Sequence, residues 1–193
     1  MPIIVNKEAI KEDIIRAFQR LAAQKPLPSI SLREIAAEAG MSHSKILRYF
    51  SDKNSLLVAC VHWAGGLLFD HVREWFATHH LNMFSDRKTY LDAFFLYCQT
   101  GHFDGVSPRD VVMTCALGAY SDEIRSAVAE EFTRLNDLFC SCLTAEFSKE
   151  LSQEDVNTIS IVFHGIFFTR FNGILSEDSL CHPADVILSL LNK

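Results

Sequence analysis

The chain has 193 residues, 49% of them hydrophobic, with a net charge of −6. That supplies a proper core in one large domain or two small ones. No apolar run approaches the length needed to span a bilayer, and the opening MPIIVNKEAIKED lacks the basic-then-apolar pattern of a signal peptide. Six scattered cysteines (Cys60, Cys98, Cys115, Cys140, Cys142, Cys181) suit a reduced cytoplasm better than a disulfide framework, so a cytoplasmic location with no membrane partner is expected. The negative charge would argue against nucleic acid, but it is uneven. Residues 1–55 hold nine Lys/Arg against six Asp/Glu, whereas residues 56–193 hold nine against eighteen. A basic end joined to an acidic body hints at one DNA-facing region.

In chain order, residues 6–23 form the first predicted helix. Asn6 caps it, and Ile10, Ile14, Ala17, Phe18 and Leu21 form one stripe. Pro26 and Pro28 then block helix and stiffen a connector. Ser31, with Glu34 three residues on, makes a capping box for a short helix over 32–39, and Gly40 ends it in the left-handed conformation. Ser42 caps a second short helix, to about residue 50. This one is expected to turn Ile46, Leu47 and Phe50 inward and His43, Lys45, Arg48 and Tyr49 outward. Two short helices across a glycine turn, the second basic outside, fit a helix-turn-helix that enters the major groove.

The stretch SLREIAAEAGMSHSKILRYFSDK, residues 31–53, resembles the DNA-binding segment of the TetR family of transcriptional regulators. The matching residues are Ser31, Ile35, Ala36, Ala39, Gly40, Met41, Ser42, Phe50, Lys53 and Leu56, and beyond the first fifty to sixty residues the likeness is architectural. Two positions depart from the family pattern. Leu47 stands where a tyrosine, often a phosphate contact, is usual, and Ser44 where glycine is common. The expected DNA contacts are Ser31 on phosphate through its hydroxyl and nearby N–H groups, and Ser42, His43, Ser44, Lys45 and Arg48 on base edges or adjacent phosphates. The resemblance adds Lys53 on phosphate, and Tyr49 is assigned the phosphate hydroxyl that Leu47 lacks.

The next helix runs from near Asp52 to about His79, carrying Leu56, Leu57, Ala59, Cys60, Trp63, Leu67, Val72 and Phe76 inward. Gly65-Gly66 within it admits two readings, close packing against a neighbour or a bend between head and body. A helix over 86–100 buries Tyr90, Leu91, Phe94, Phe95 and Cys98, and Pro108 starts another to about Ala119. Ser121 caps a long helix to Ser148, with Leu135 and Phe139 on its stripe. Ser152 and Asp155 cap the helix 153–175, which is apolar on both sides. One side carries Ile159, Val162, Phe163, Ile166 and Phe167, the other Ile161, Phe168, Phe171 and Leu175. A helix apolar on both sides must be covered on both, so a homodimer is expected. Its interface is placed on Leu135, Phe139, Ile159, Val162, Phe163, Ile166, Phe167 and Arg170. A last helix over 183–191 packs Val186, Ile187, Leu190 and Leu191.

The fold class is therefore all-α, with about nine helices. A three-helix helix-turn-helix domain (1–55) is joined by a long helix to a larger ligand-binding and dimerisation domain (56–193). The body's aromatics are core or, as the resemblance implies, the lining of a pocket for an apolar or aromatic small-molecule effector. Its candidate lining is Trp63, Phe94, Phe95, Cys98, Phe163 and Phe167, with His62, His102, Tyr120, His164 and Asn172 as polar groups. Neither a nucleophile motif nor a phosphate-cradling loop is present, so no enzyme and no cofactor is expected. Cys140 and Cys142, two apart on a helix, point away from each other, and His79-His80 and Cys181-His182 lack partners at ligand spacing, so no metal is expected. The expected function is a dimeric repressor released from a palindromic double-stranded operator by its effector. An activator of the same fold, or a helical interaction protein without DNA binding, are the alternatives.

Overall fold

A single 26-residue helix ties together two hydrophobic cores. The computed structural model describes residues 6–100, 116–119, 121–171 and 183–192, leaving out the side chains of 99, 100, 166, 167, 170 and 171. Among these residues there are eight α-helices and no strand: α1 (Lys7–Ala22), α2 (Leu32–Glu38), α3 (His43–Ile46), α4 (Lys53–Thr78), α5 (Arg87–Thr100), α6 (Asp122–Phe147), α7 (Gln153–Phe171) and α8 (Pro183–Leu191). Short 3₁₀ turns at Leu27–Ser29 and Leu81–Met83 fill the two connectors. The expected all-α class is the observed one. Most of the Pro108–Ala119 helix lies outside the described residues.

Local chemistry sets the boundaries. The Asn6 side chain accepts from Glu8 N and Ala9 N at the start of α1. Asp52 and Ser55 exchange hydrogen bonds in a capping box that starts α4, and Ser152 with Asp155 does the same for α7. Ser121 precedes α6 without a side-chain cap bond, contrary to its expected role.

The first core joins α1, α2 and α3 to the first half of α4, through Ile14, Phe18, Ile35, Ile46, Phe50, Leu56 and Val61. Leu117, Ile124 and Ala127 close it, so the head does not stand on its own three helices. The second core is aromatic. Phe94 stacks on Phe139 at 5.0 Å and Phe139 on Phe163 at 4.8 Å, with Trp75, Phe76 and Tyr90 around them. Such ring pairs add to what their buried area alone contributes.

Helix α4 belongs to both cores and lies along α6 more extensively than any other helix pair. It runs unbroken through Gly65-Gly66, which favours close packing over a bend. A Cβ at Gly65 would come within 2.5–2.7 Å of the Glu131 side chain on α6, so any larger residue requires that carboxylate to move. Contrary to the expectation from apolar runs, α4 is long and apolar enough to cross a bilayer, with a mean hydropathy of 1.4. Its buried residues instead serve the two cores of the fold.

Three further expectations are corrected. Helix α3 ends at Ile46 rather than near 50, and Leu47 is 43% exposed instead of buried, while Tyr49, expected outward, is half-buried against the head core. One turn of helix cannot hide both Ile46 and its neighbour, and the side chain that wins the core is Ile46. Leu67 and Trp63 are only half-buried, with Val61, Ala64, Leu68 and Trp75 taking the inner face of α4. Val186 of α8 is exposed.

Candidate nucleic-acid interface

The helix-turn-helix is held by its own caps. The Ser31 hydroxyl accepts from Glu34 N at 3.3 Å, and the Glu34 carboxylate accepts from Ser31 N and Ser31 Oγ, both at 2.8 Å. Lys25 also pairs with Glu34. The Lys25 ammonium first, then the Ser31 backbone N–H, hold the Glu34 carboxyl down to about 2. Gly40, at φ +65°, makes the turn between α2 and α3, and Met41 N donates to Ala36 O at 2.8 Å across it. Ser42 Oγ then accepts from Lys45 N at 3.2 Å and starts α3.

These caps leave a distinct outer face. Ser42, Ser44, Leu47 and Arg48 are exposed, and His43, Lys45 and Tyr49 half-buried. Sequence neighbours brought to one face are thus Ser42, His43, Ser44, Lys45 and Arg48. Four other cations of the head are occupied: Lys11 with Glu8, Arg16 with Glu12, Arg20 with Glu38 and Lys25 with Glu34. Lys45 and Arg48 form no ion pair among the described residues, and neither does Arg33. Arg33 was missed by sequence reasoning. Its signal was available, because it is exposed in the first turn of α2, immediately after the Ser31 cap.

Two expected phosphate contacts have hydrogen-bond partners within the head. Both polar hydrogens of Ser31 go to Glu34. The Lys53 ammonium donates to Leu27 O at 2.7 Å and Pro28 O at 3.4 Å, clamping the proline connector, and burial lowers its pKa.

Among the described residues, the expected effector residues stand at several places. Phe94, Phe95, Cys98 and Phe163 are sealed in the aromatic core. Trp63 packs on the head core, with the Arg16 guanidinium 5.3 Å over its ring. His62 Nδ1 lies 2.7 Å from Glu131 Oε1 across the α4–α6 seam, where Arg134 also meets Glu131 at 2.9 Å. His164 sits edge-on to Phe132, with Nδ1 3.2 Å from Ser160 Oγ and a buried Nε2 that has no hydrogen-bond partner among the described residues. Burial pushes its pKa down to about 4, so the ring is neutral at pH 7. His102, Tyr120 and Asn172, and the side chain of Phe167, lie outside the described residues. An open groove of about 570 Å³ beside the end of α6 and the start of α7, lined by Asp137, Ser141, Thr144 and Glu150, contains none of the expected effector residues.

The dimer expectation splits by face. Leu135, Phe139, Ile159 and Phe163 are consumed by the protomer's own core and offer a partner no surface. Val162 is half-buried, and the side chains of Ile166, Phe167 and Arg170 lie outside the described residues. The opposite side of α7 carries Ile161, 74% exposed, and Phe168, 54% exposed.

Residues 14–60 match the family described as bacterial regulatory proteins, tetR family. The reading head is thus similar to members of that family. A helix-turn-helix transcriptional regulator of Haemophilus influenzae, itself uncharacterised, is 37% identical over 71 residues, which is 36% of this chain and 35% of that protein. The chain therefore matches about a third of that relative's length. Solved structures match the whole fold. A candidate transcriptional regulator of Pseudomonas aeruginosa PAO1 superposes with a TM-score of 0.72 at 15% identity, covering 98% of this chain and 91% of that one. The Thermus thermophilus FadR, a TetR-family transcriptional repressor in complex with lauroyl-CoA, superposes with a TM-score of 0.58 at 18% identity, covering 94% and 93%.

Proposed function

We propose that the protein is a homodimeric transcriptional regulator, acting in the cytoplasm as a repressor that leaves a palindromic operator when an apolar small molecule binds its body. The observation that carries this is the outer face of the helix-turn-helix. Lys45 and Arg48 stand there without carboxylate partners among the described residues, while Lys11, Arg16, Arg20 and Lys25 are each paired with a glutamate. Guanidinium and ammonium groups without carboxylate partners on this face suit guanine edges and phosphates. Arg33 joins them as a phosphate contact, more available than Ser31 or Lys53. The functional division into a reading head (1–55) and an effector and dimerisation body (56–193) belongs to this proposal.

Ile161, Gly165 and Phe168 fall on one stripe of α7, at i, i+4 and i+7. An exposed apolar stripe of this kind supports pairing with a second copy of the chain. The two reading helices then need to stand about 34 Å apart, or a multiple, to enter successive major grooves. His164, neutral and with Nε2 unsatisfied beside Phe132, is the polar group assigned to the effector, and its neutrality favours an uncharged partner. The Thermus repressor with bound lauroyl-CoA supports a lipophilic effector.

Gel shift of the full chain against DNA upstream of its own gene tests the reading. Binding is expected at low salt and weakens as salt rises. Absence of binding to any fragment at low salt ends the proposal. Thermal-shift screening of lipophilic small molecules finds the effector.

A further inference from the structure

Every exposed side chain from Ser42 to Arg48 is polar except Leu47. Among the described residues it is also the one large hydrophobic residue of the head that stands in solvent, while Ile46 and Phe50 beside it are sealed in the core. Its backbone, at φ −62° and ψ −15°, continues the helical path of α3, so Leu47 lies one turn past His43 and Ser44 on the same outer stripe. Arg48 adjoins it. An apolar side chain there cannot accept or donate to a phosphate, and water gains nothing from it.

On the proposal that this face enters the major groove, we infer that Leu47 is a specificity-determining residue that reads the C5-methyl group of a thymine. The argument is one of chemical matching. Base edges in the major groove present donors and acceptors with one apolar exception, the thymine methyl. Leu47 can be desolvated against that methyl without leaving a polar group unsatisfied. Against the polar edge of a G·C pair, burial would strand an acceptor or donor at a cost. The preference is therefore for a T·A pair at one position of each half-site.

The test uses the full-length protein. Wild-type protein first selects duplexes from a random pool. Each thymine of the selected sequence is then replaced in turn by deoxyuridine, which removes only the methyl group. Binding is measured by gel shift at fixed salt for wild type and Leu47→Ala, with circular dichroism confirming the fold of the variant. One thymine per half-site is expected to be sensitive, with wild-type affinity falling about fourfold per half-site on its replacement, the value of one buried methyl. Leu47→Ala is expected to bind the thymine duplex as weakly as wild type binds the deoxyuridine one, and to be indifferent to the exchange. Indifference of the wild type to every exchange overturns the inference, and so does unchanged sensitivity in Leu47→Ala. A loss in Leu47→Ala that is equal for all duplexes also overturns it, because the side chain then touches sugar-phosphate alone. Failure to select any duplex overturns the DNA-reading function itself, and this inference with it.

Discussion

Gly65→Ala isolates the packing between the long helix and the body. Alanine in place of glycine in a helix interior ordinarily stabilises by about 1 kcal/mol. Here the new Cβ falls 2.5 Å from Glu131 Oε2, 2.6 Å from Cγ and 2.7 Å from Cδ. The Glu131 side chain must swing away. It is only 10% exposed and held by His62 at 2.7 Å and Arg134 at 2.9 Å, so the swing costs two charge-assisted contacts, of which the less exposed is worth about 1–2 kcal/mol. The two effects oppose each other, and Gly65→Ala alone should come out neutral or destabilising by about 1 kcal/mol. In a Glu131→Ala background the obstruction is gone, and the same substitution should stabilise by about 1 kcal/mol. Urea unfolding of the four proteins, at one protein concentration, gives the coupling energy directly, expected at about 1–2 kcal/mol. Gly65→Ala stabilising the wild type as fully as it does the Glu131→Ala protein would refute the close-packing account.

Three other measurements bear on separate parts of the molecule. His164 has a folded-state pKa of about 4 against 6.5 when exposed, so the unfolded chain takes up its proton first as pH falls. The stability this contributes is fully present above pH 6.5 and is lost between about 6.5 and 4, an effect of order 3 kcal/mol that His164→Leu should remove from a pH series of urea midpoints. The Cys60 and Cys98 thiols are buried and pushed well up, and Cys140 to about 11. Iodoacetamide at pH 8 should leave these three unlabelled in the folded protein, as read by peptide mass mapping, and their rapid modification would contradict the burial. Arg33→Ala should weaken operator binding evenly across sequences and lower the slope of log affinity against log salt by about 1, with no change in the selected sequence.

Most of the architecture was legible from spacing and caps. Asn6, Ser31 with Glu34, Ser42 and Ser152 with Asp155 all cap where side-chain chemistry puts them, because an N-cap is decided by residues three apart in the chain. Tyr90, Leu91, Phe94, Phe95 and Cys98 were legible as one buried stripe for the same local reason. Leu47 was misjudged because it was grouped with the apolar Ile46 and Phe50, whereas its place on the helical path, one turn past His43 and Ser44, is on the outer side. The site was harder to read than the fold. Whether Lys53 is free depends on the carbonyls of Leu27 and Pro28, 26 and 25 residues away. His62 and His164 looked alike as polar groups among aromatics, yet one meets Glu131 and the other has a nitrogen with no partner. Contacts of that range carry no periodicity. The dual apolar character of α7 was plain in the sequence, but which side the protomer itself would consume was settled only by the packing of Phe139 on Phe163.

The length of α4 turns small angles into large displacements. Twenty-six residues make a rod of about 39 Å. The Asp52–Ser55 capping box ties its first turn to the end of the reading segment with only Ser51 between Phe50 and the cap. Play at that junction is small, so rotation at the far end reaches the head with little loss. A tilt of about 5° pivoting near Trp75 would carry the head about 3 Å, close to the 3.4 Å spacing of successive base pairs. In mechanical terms the helix is a pointer with a short scale. On the proposed function, a ligand would need to disturb the body by less than the width of a methyl group to set two such pointers out of register with a double helix.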